Sequence, residues 1–433
     1  MEKKKIGIQT WGSDGDILPF IALAIGLGRS GHKVTVVYTS VDNKDYSALV
    51  ANHGISITKA YERFDEDRKG VFARIINAGD PLKELALVLD NYFVPAIDEM
   101  YSAAKALCTD SDLVIGHGIH YPLATAAEKT KCPRVSLVLC PMMIETKYVS
   151  PFDVNLGKWL NSLLWKLGDR LVRRKIYGAA DMLRKREGLP PITCLQDDLY
   201  VTRKLTLIAT SPALCPRQPD WGGNIQVCGF LNPPGGADNW KMPPGLQRFI
   251  ESGAPPVYFT FGSCTHFDLE SSTRLFLETA RKAGVRAIVQ SNWESLAFLE
   301  EHPNVYRVSS IPHEHVFPHC SMIVHHGGSG TSQSSLRAGK PSVVVAHAFD
   351  QPYWGKKLMQ LGVAGKVLQR RKTTSDVLAK SVLSVLDSPQ LVYNAQKAKQ
   401  VMDKENGVDN AVALINQTLL TEPSGRAMRP KPE

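Results

Sequence analysis

Met322-Ile-Val-His-His-Gly-Gly-Ser-Gly-Thr-Ser-Gln-Ser-Ser-Leu-Arg-Ala-Gly339 is the stretch on which the reading of this chain turns. An apolar run gives way to a glycine-rich turn, then to a polar segment closed by another glycine. That order reads as strand, tight turn and helix, the repeating half of a βαβ unit. Glycines let a backbone approach an anion closely, and free amides and hydroxyls at a helix start point toward it. No carboxylate lies between His325 and Thr331 to repel such a ligand. Many strand-to-helix junctions need glycine for steric reasons alone, so the continuation carries weight. Pro341 and a second apolar run lead into Asp350-Gln351-Pro-Tyr-Trp354-Gly355. An acid–amide pair there, one βα unit later, can hold ligand hydroxyls beside the anion.

Working outward, short Val/Ile-rich runs alternate with segments of helical period, the pattern of parallel α/β sheets. Strands are expected at 5–8, 34–38, 113–115, 134–139 and 205–209, and again at 257–261, 286–289, 305–308, 322–324 and 342–345. Phe20, Leu23, Ala24 and Leu27 line one face of the first helix, which Gly31 ends. The Pro/Gly-dense stretch from Asn232 to Gly245 suits neither helix nor strand. Two doubly wound domains, residues 1–232 and 246–420, are therefore expected around a linker at 233–245. Ligands of such sheets collect at the carboxyl ends of the strands, so two facing domains would share a cleft. Residues 421–433 are polar and Pro-rich, a composition expected to stay disordered.

Composition narrows the function classes. At 433 residues, 43% hydrophobic and 21% charged, the chain has the make-up of a globular protein with more than one core. The net charge of +9 suits an anionic ligand or membrane surface. Nucleic acid is not expected, because zinc-finger spacing, RNA-binding aromatics and a recognition-helix pattern are all missing. The basic start lacks the apolar run of a signal peptide, and no stretch of about 18 apolar residues occurs. Eight scattered cysteines without a C-x-x-C pair read as reduced, so a cytoplasmic protein is expected. The run Pro312-His-Glu-His-Val-Phe-Pro-His319 places His313 and His315 too close for one helical face, and no metal site is expected.

The set HHGGSGT…LRAGKPSVVV…DQPYWG…LGV resembles the nucleotide-sugar signature of family 1 glycosyltransferases, most of all the sterol, lipid and antibiotic-type glucosyltransferases. The motif occupies roughly residues 306–365, and weaker likenesses at 7–19, 257–263, 312–318 and 405–410 extend it along the chain. The resemblance implies the GT-B fold, two Rossmann-like domains with the donor on the C-terminal one and the acceptor on the N-terminal one. It implies inversion at the anomeric carbon and no metal or other cofactor, with a UDP-sugar, UDP-glucose by expectation, as co-substrate. Carried over by motif, His326, Ser329 and Thr331 with the amides of Gly328 and Gly330 would hold the diphosphate, and Ser263 would sit nearby. Asp350 and Gln351 would bind the sugar, and Ile311 would face the base. Ser310 and Ser334 stand where plant relatives place a base-stacking Trp and a ribose-binding Glu. His347 replaces a frequent aromatic, and Trp293 is a candidate substitute for the stacking ring.

The first βα turn, Thr10-Trp-Gly-Ser-Asp-Gly-Asp16-Ile-Leu-Pro19, looks like a phosphate loop until its charge is counted. Asp14 and Asp16 would repel phosphate, and a carboxylate aimed into a cleft suits removal of a proton from a hydroxyl. On the residues alone, Asp16 could equally cap the helix that Pro19 helps start. The resemblance favours the base, since G-S-x-G-D-x-x-P is similar to the sterol-type motif in which the Asp replaces a catalytic His. After the strand at 113–115 come His117 and His120, either of which could partner Asp16 or simply line the pocket. Trp11, Phe93, Met142 and Met143 are candidates for an apolar acceptor wall, and each could equally be core.

Residues 156–186 combine Leu, Trp159 and Trp165 with clustered Lys and Arg. Two readings stand, an amphipathic segment resting on an anionic membrane or helices packed on their own domain with a solvated basic face. The leading expectation is transfer of a hexose to a hydroxyl of a hydrophobic acceptor such as a sterol, lipid or polyketide. A sugar-nucleotide epimerase and a non-catalytic accessory protein on the same fold are the alternatives.

Overall fold

A computed structural model describes residues 3–64, 68–232, 240–262, 264, 268–296, 302–309 and 311–420. Ser263, Ser310, most of the linker expected at 233–245 and the tail expected at 421–433 lie outside the described residues.

Two all-parallel sheets organise the chain. The first holds β1 (Lys5–Gly12), β2 (Lys33–Ser40), β3 (Ser56–Lys59), β4 (Leu113–His117), β5 (Arg134–Val138), β6 (Leu205–Ile208) and β7 (Ile225–Val227) in the order β3-β2-β1-β4-β5-β6-β7. The second holds β8 (Val257–Thr260), β9 (Ala287–Gln290), β10 (Val305–Val308), β11 (Met322–His325), β12 (Ser342–Ala346) and β13 (Leu368–Gln369) in the order β10-β9-β8-β11-β12-β13. Central strands such as β8 and β11 are buried throughout, as strands covered by helices on both faces must be. The ten strands expected from sequence are all present, nine of them within about two residues, while β1 runs four residues past its expected end at residue 8. The three not expected, β3, β7 and β13, are sheet edges with only partial burial and hence little apolar signature.

Each sheet reverses its strand order once, between β1 and β4 in the first and between β8 and β11 in the second. Crevices at the carboxyl ends of doubly wound sheets open at such points. The loop after β1 carries Asp16 and that after β4 carries His120, while Gly262 follows β8 and His326 follows β11. The topology alone thus brings the singled-out loops to two facing crevices.

The helix Gly407–Leu420 follows the second domain in sequence but packs on the first. Ala411, Val412 and Ile415 join the core beneath β1, β2 and β4 with Phe20, Leu23 and Leu27. Asn416 Nδ2 donates to Ser30 Oγ at 3.1 Å, and its Oδ1 lies 2.7 Å from His32 Nε2. Close approach is possible because Gly407 lies against the Phe230 carbonyl, where a Cβ would come within 2.2 Å of the oxygen. The C-terminal domain drawn from sequence order, residues 246–420, therefore includes a helix that completes the N-terminal core.

Further contacts tie the domains together beside the cleft. Gln333 Oε1 accepts from the Ser211 amide at 2.8 Å, and Ser211 Oγ donates to Glu405 at 2.6 Å. The Phe349 amide donates to Glu84 at 3.2 Å. Asp153, nearly buried, accepts from Lys357 Nζ at 2.6 Å and lies 3.6 Å from Lys356 Nζ. Cys140, Leu214 and Phe230 share an apolar cluster with Leu336, Trp354 and Leu358.

A candidate active site between the two sheets

Asp16 occupies the third position of the helix Asp14–Arg29, and Ser13 is the N-cap. Its Oδ2 accepts from the Ser13 amide at 3.0 Å and lies 3.4 Å from Ser13 Oγ, a reciprocal capping box. Gly12, at φ +135°, makes room for it, since a Cβ there would sit 2.2 Å from that oxygen. Asp16 therefore serves the helix start from its third position, with Ser13 rather than Asp16 as the N-cap. Burial pushes the Asp16 carboxyl up to about 7; the Ser13 amide opposes this, and the charges of Asp350 and Asp42 add to it. Asp14 has a different fate, being engaged by Lys44 and by the Tyr46 hydroxyl at 2.8 Å.

His117 and His120 are buried, and each turns Nδ1 to its own loop. His117 Nδ1 accepts from the Ile119 amide at 3.2 Å, and His120 Nδ1 accepts from the Leu123 amide at 3.3 Å, capping the helix Tyr121–Thr130. Burial lowers His117 to about 4, and burial with the charge of His117 lowers His120 to about 3, so both are neutral at pH 7. No hydrogen bond or ion pair joins either ring to Asp16. His120 Nε2 is buried without a partner, beside the Phe93 ring at 5.8 Å.

Across the cleft, the glycine-rich turn ends in the helix Ser329–Arg337, capped by Gly328, with no acid in its first turn. The ring of His326 is wedged between two glycines. A Cβ on Gly262 would lie 2.9 Å from its Cε1, and one on Gly328 would lie 2.4 Å from its Nε2. Burial, and next the charge of His313, lowers His326 to about 4, and its Nδ1 has no hydrogen-bond partner. Gly330 by contrast faces open space, where a built Cβ meets nothing within 4 Å. Ser329 Oγ accepts from Gln333 at 3.2 Å, so the helix start is braced through Gln333 to Ser211 of the other domain. Thr331 is buried on the same first turn.

Asp350 caps the helix Gln351–Gln360 and accepts from Trp354 Nε1 at 2.7 Å; burial raises its carboxyl above the ordinary value. Phe349, just before it, holds φ +60°, a left-handed conformation costly for a non-glycine residue and often found at functional loops. Gln351 is turned onto its own loop, its Oε1 accepting from the His347 amide at 2.7 Å and the Ala348 amide at 3.3 Å. Gln351 Oε1 is thus committed to this loop, while the charge of Asp350 reaches Asp16. His347 is half-buried, lowered by desolvation and then by His326 and Arg370 to about 3, with its ring edge against Phe261.

The remaining candidates divide. Trp11 and Phe93 pack edge to face at 4.9 Å in the main N-terminal core, and Trp11 Nε1 donates to the Tyr92 carbonyl at 3.0 Å. Met143 is half-buried near Gly118, while Met142 is exposed on the turn Pro141–Met143. Ile311 is partly buried at the edge of the core around Tyr258 and Phe317. Trp293 lies on the loop after β9 with the Arg307 guanidinium over its face at 4.5 Å. His313 stacks on Phe317 at 4.2 Å and His315 on Trp240 at 5.1 Å, and no cluster of three or more His, Cys, Asp or Glu able to hold a metal occurs among the described residues. The interdomain brace of Asp153, Lys356 and Lys357 was not singled out in the sequence, because ion pairs 204 residues apart leave no local pattern.

Comparison with known proteins bears on the fold. Residues 277–412 match the family described as "Erythromycin biosynthesis protein CIII-like, C-terminal domain". The chain is 28% identical to sterol 3-beta-glucosyltransferase of Neosartorya fischeri, over 96% of its own length and 30% of that protein's. It is 26% identical to sterol 3-beta-glucosyltransferase UGT80A2 of Arabidopsis thaliana, over 93% of its own length and 63% of the relative's. The chain therefore spans about a third to two thirds of the length of these relatives. Among solved structures, the glycotransferase of kitacinnamycin superposes with TM-score 0.70 at 19% identity, covering 97% of this chain and 100% of that one. Glycosyltransferase VinC in complex with dTDP superposes with TM-score 0.66 at 18% identity, covering 96% and 99%. The fold is GT-B, and the chain is a relative of the family 1 GT-B glycosyltransferases.

Proposed function

We propose that this protein is an inverting glycosyltransferase that moves a hexose from a UDP-sugar to a hydroxyl of a hydrophobic acceptor, with Asp16 as the base. The single observation that carries the reading is the combination, on the two facing domains, of a part-buried carboxyl raised to about 7 with an acid-free helix start opening on empty space.

The first helix turn around Ser329, Gly330 and Thr331 offers unpaired amides and a positive dipole end, which suits a diphosphate and stabilises charge as it leaves. His326 is neutral and offers one unpartnered ring nitrogen on the same side. Asp350, on the next loop, would receive sugar hydroxyls. A base with pKa near the working pH is a far better proton acceptor than an ordinary carboxylate, and burial supplies that increase here. Asp16 would take the proton late, as the acceptor oxygen gains positive character in bonding to the anomeric carbon. Ser263, outside the described residues, is assigned to the diphosphate by motif only. VinC's complex with dTDP and the sterol glucosyltransferase relatives support the donor and acceptor classes respectively.

Incubation with UDP-glucose or dTDP-glucose and a panel of hydrophobic alcohols, sterols included, tests this reading. Nucleotide release that requires an acceptor and yields a glycoside is expected. Nucleotide release with an altered free sugar would identify an epimerase instead, and nucleotide binding without turnover would identify an accessory protein.

A further inference from the structure

The helix Lys158–Ile176 exposes what a packed helix normally hides. Trp159 is 77% exposed, and Leu163, Leu167 and Leu171 follow it at intervals of four residues, all exposed. That spacing sets them in one stripe along the helix. The loop leading into the helix adds Phe152, 71% exposed, and Leu156, also exposed. The opposite side of the same helix is anchored: Asn161 is fully buried and Trp165 Nε1 donates to the Val149 carbonyl at 2.8 Å. The stripe is therefore a settled outward face.

The exposed charges of the helix itself have one sign. Lys166, Arg170, Arg174 and Lys175 are exposed and interleave with the leucines, and Asp169 is the helix's only acid. Its carboxylate is turned away, accepting from the Leu195 amide at 2.8 Å. A protein–protein interface core is depleted in lysine, whereas Trp and Leu alternating with Lys and Arg on one face is the make-up of a helix lying in a bilayer interface. No helix among the described residues is long and apolar enough to cross a membrane, so the segment would lie on the surface.

We infer that the face formed by Phe152, Leu156, Trp159, Leu163, Leu167 and Leu171 with its flanking Lys and Arg residues docks on anionic lipid bilayers. The loop bearing Phe152 also carries Asp153, whose carboxylate is bound to Lys356 and Lys357 of the other domain beside the cleft. The docked face would thus adjoin the mouth of the cleft, where an apolar acceptor could pass from the bilayer. The docking itself does not depend on the proposed chemistry and is tested without turnover.

The full chain is sedimented with vesicles of phosphatidylcholine alone and of phosphatidylcholine with 30% phosphatidylglycerol. Binding to the anionic vesicles is expected to exceed binding to the neutral ones at least tenfold and to fall with added salt. Trp159→Ser/Leu163→Ser/Leu167→Ser should reduce anionic-vesicle binding at least tenfold, and Lys166→Glu/Arg170→Glu/Arg174→Glu should abolish it. All these positions are exposed, and unchanged melting curves confirm that the variants fold. Anionic-vesicle binding that both variants retain overturns the inference, as does wild-type protein that stays in the supernatant. A dimer in sedimentation velocity that the first variant dissolves, without vesicle binding by the wild type, would show a self-association surface and overturn it too.

Discussion

Asp16 and Asp350 stand on opposite domains, near enough that the charge of Asp350 adds to burial in lifting the Asp16 carboxyl to about 7. Neither acid has a cation as its hydrogen-bond partner. Asp16 accepts from Ser13, and Asp350 accepts from Trp354. An arrangement that leaves two part-buried carboxyls without a counter-charge among the described residues works against stability and is characteristic of sites in which a carboxyl handles a proton.

The cost should be visible in stability. The folded pKa of Asp16 lies above the ordinary 3.8, so its contribution is fully present below about pH 4 and is lost as pH rises to about 7. Asp16→Asn keeps an acceptor for the Ser13 amide but carries no charge. The variant is expected to be more stable than wild type at pH 8, by at most a few kcal/mol on the scale of about 1.4 kcal/mol per pKa unit. The difference should vanish near pH 4. Urea melts at the two pH values decide it, and equal differences at both would refute the burial argument.

Gly330→Ala separates ligand space from protein packing. A methyl at Gly330 meets nothing within 4 Å, and alanine is the better helix residue by about 1 kcal/mol. The variant should fold with unchanged or slightly higher stability, yet bind UDP at least tenfold more weakly if the diphosphate lies on this turn. Calorimetric titration with UDP reads the effect, and unchanged affinity would move the diphosphate elsewhere.

His120 is expected to matter for structure more than for proton transfer. Its Nδ1 caps the helix Tyr121–Thr130 and its ring packs on Phe93, so His120→Ala should cost roughly 1–3 kcal/mol in stability. The pH at which turnover is half-maximal should not move. A shift of that midpoint by a unit would restore a histidine–aspartate dyad that the unliganded geometry does not show.

The Asp153 pair with Lys356 and Lys357 fastens the loop beside Phe152 to the helix Gln351–Gln360, which Asp350 caps. Removing a nearly buried acid from two lysines, as in Asp153→Ala, should cost about 1–3 kcal/mol and loosen the domains. Small-angle scattering should show a larger radius of gyration for the variant without UDP, with part of the increase reversed by UDP. Identical scattering would mean that the remaining contacts, the apolar packing of Leu214 and Phe230 and the Ser211–Gln333 bond among them, suffice to hold the domains.

The fold was readable because its strands are buried on both faces and its helices keep strict period. Phe20, Leu23, Ala24 and Leu27 are all fully buried, as their spacing implied. The donor-side loop was readable because glycine at a strand-to-helix turn is a local requirement. What stayed hidden depends on distance along the chain. Packing of Ile415 beneath β1, the bond from Ser211 to Gln333 and the commitment of Gln351 to its own loop come from tertiary closure, and no local pattern records it. Trp11 and Phe93 were offered as an acceptor wall or as core, and their placement in the main N-terminal cluster follows from a contact with Tyr92 that spacing does not show.

The most direct test of the account is acceptor-dependent release of UDP from UDP-glucose, measured against pH for wild type and Asp16→Asn. Wild-type kcat/KM is expected to rise as pH passes through about 7 and then level, as a base of that pKa loses its proton. Asp16→Asn should bind UDP as wild type does yet turn over ~10²–10⁴-fold more slowly, with no rise through that range. A variant that keeps the wild-type rate and pH profile would contradict the claim that Asp16 is the base, and UDP release indifferent to every acceptor would contradict glycosyl transfer itself.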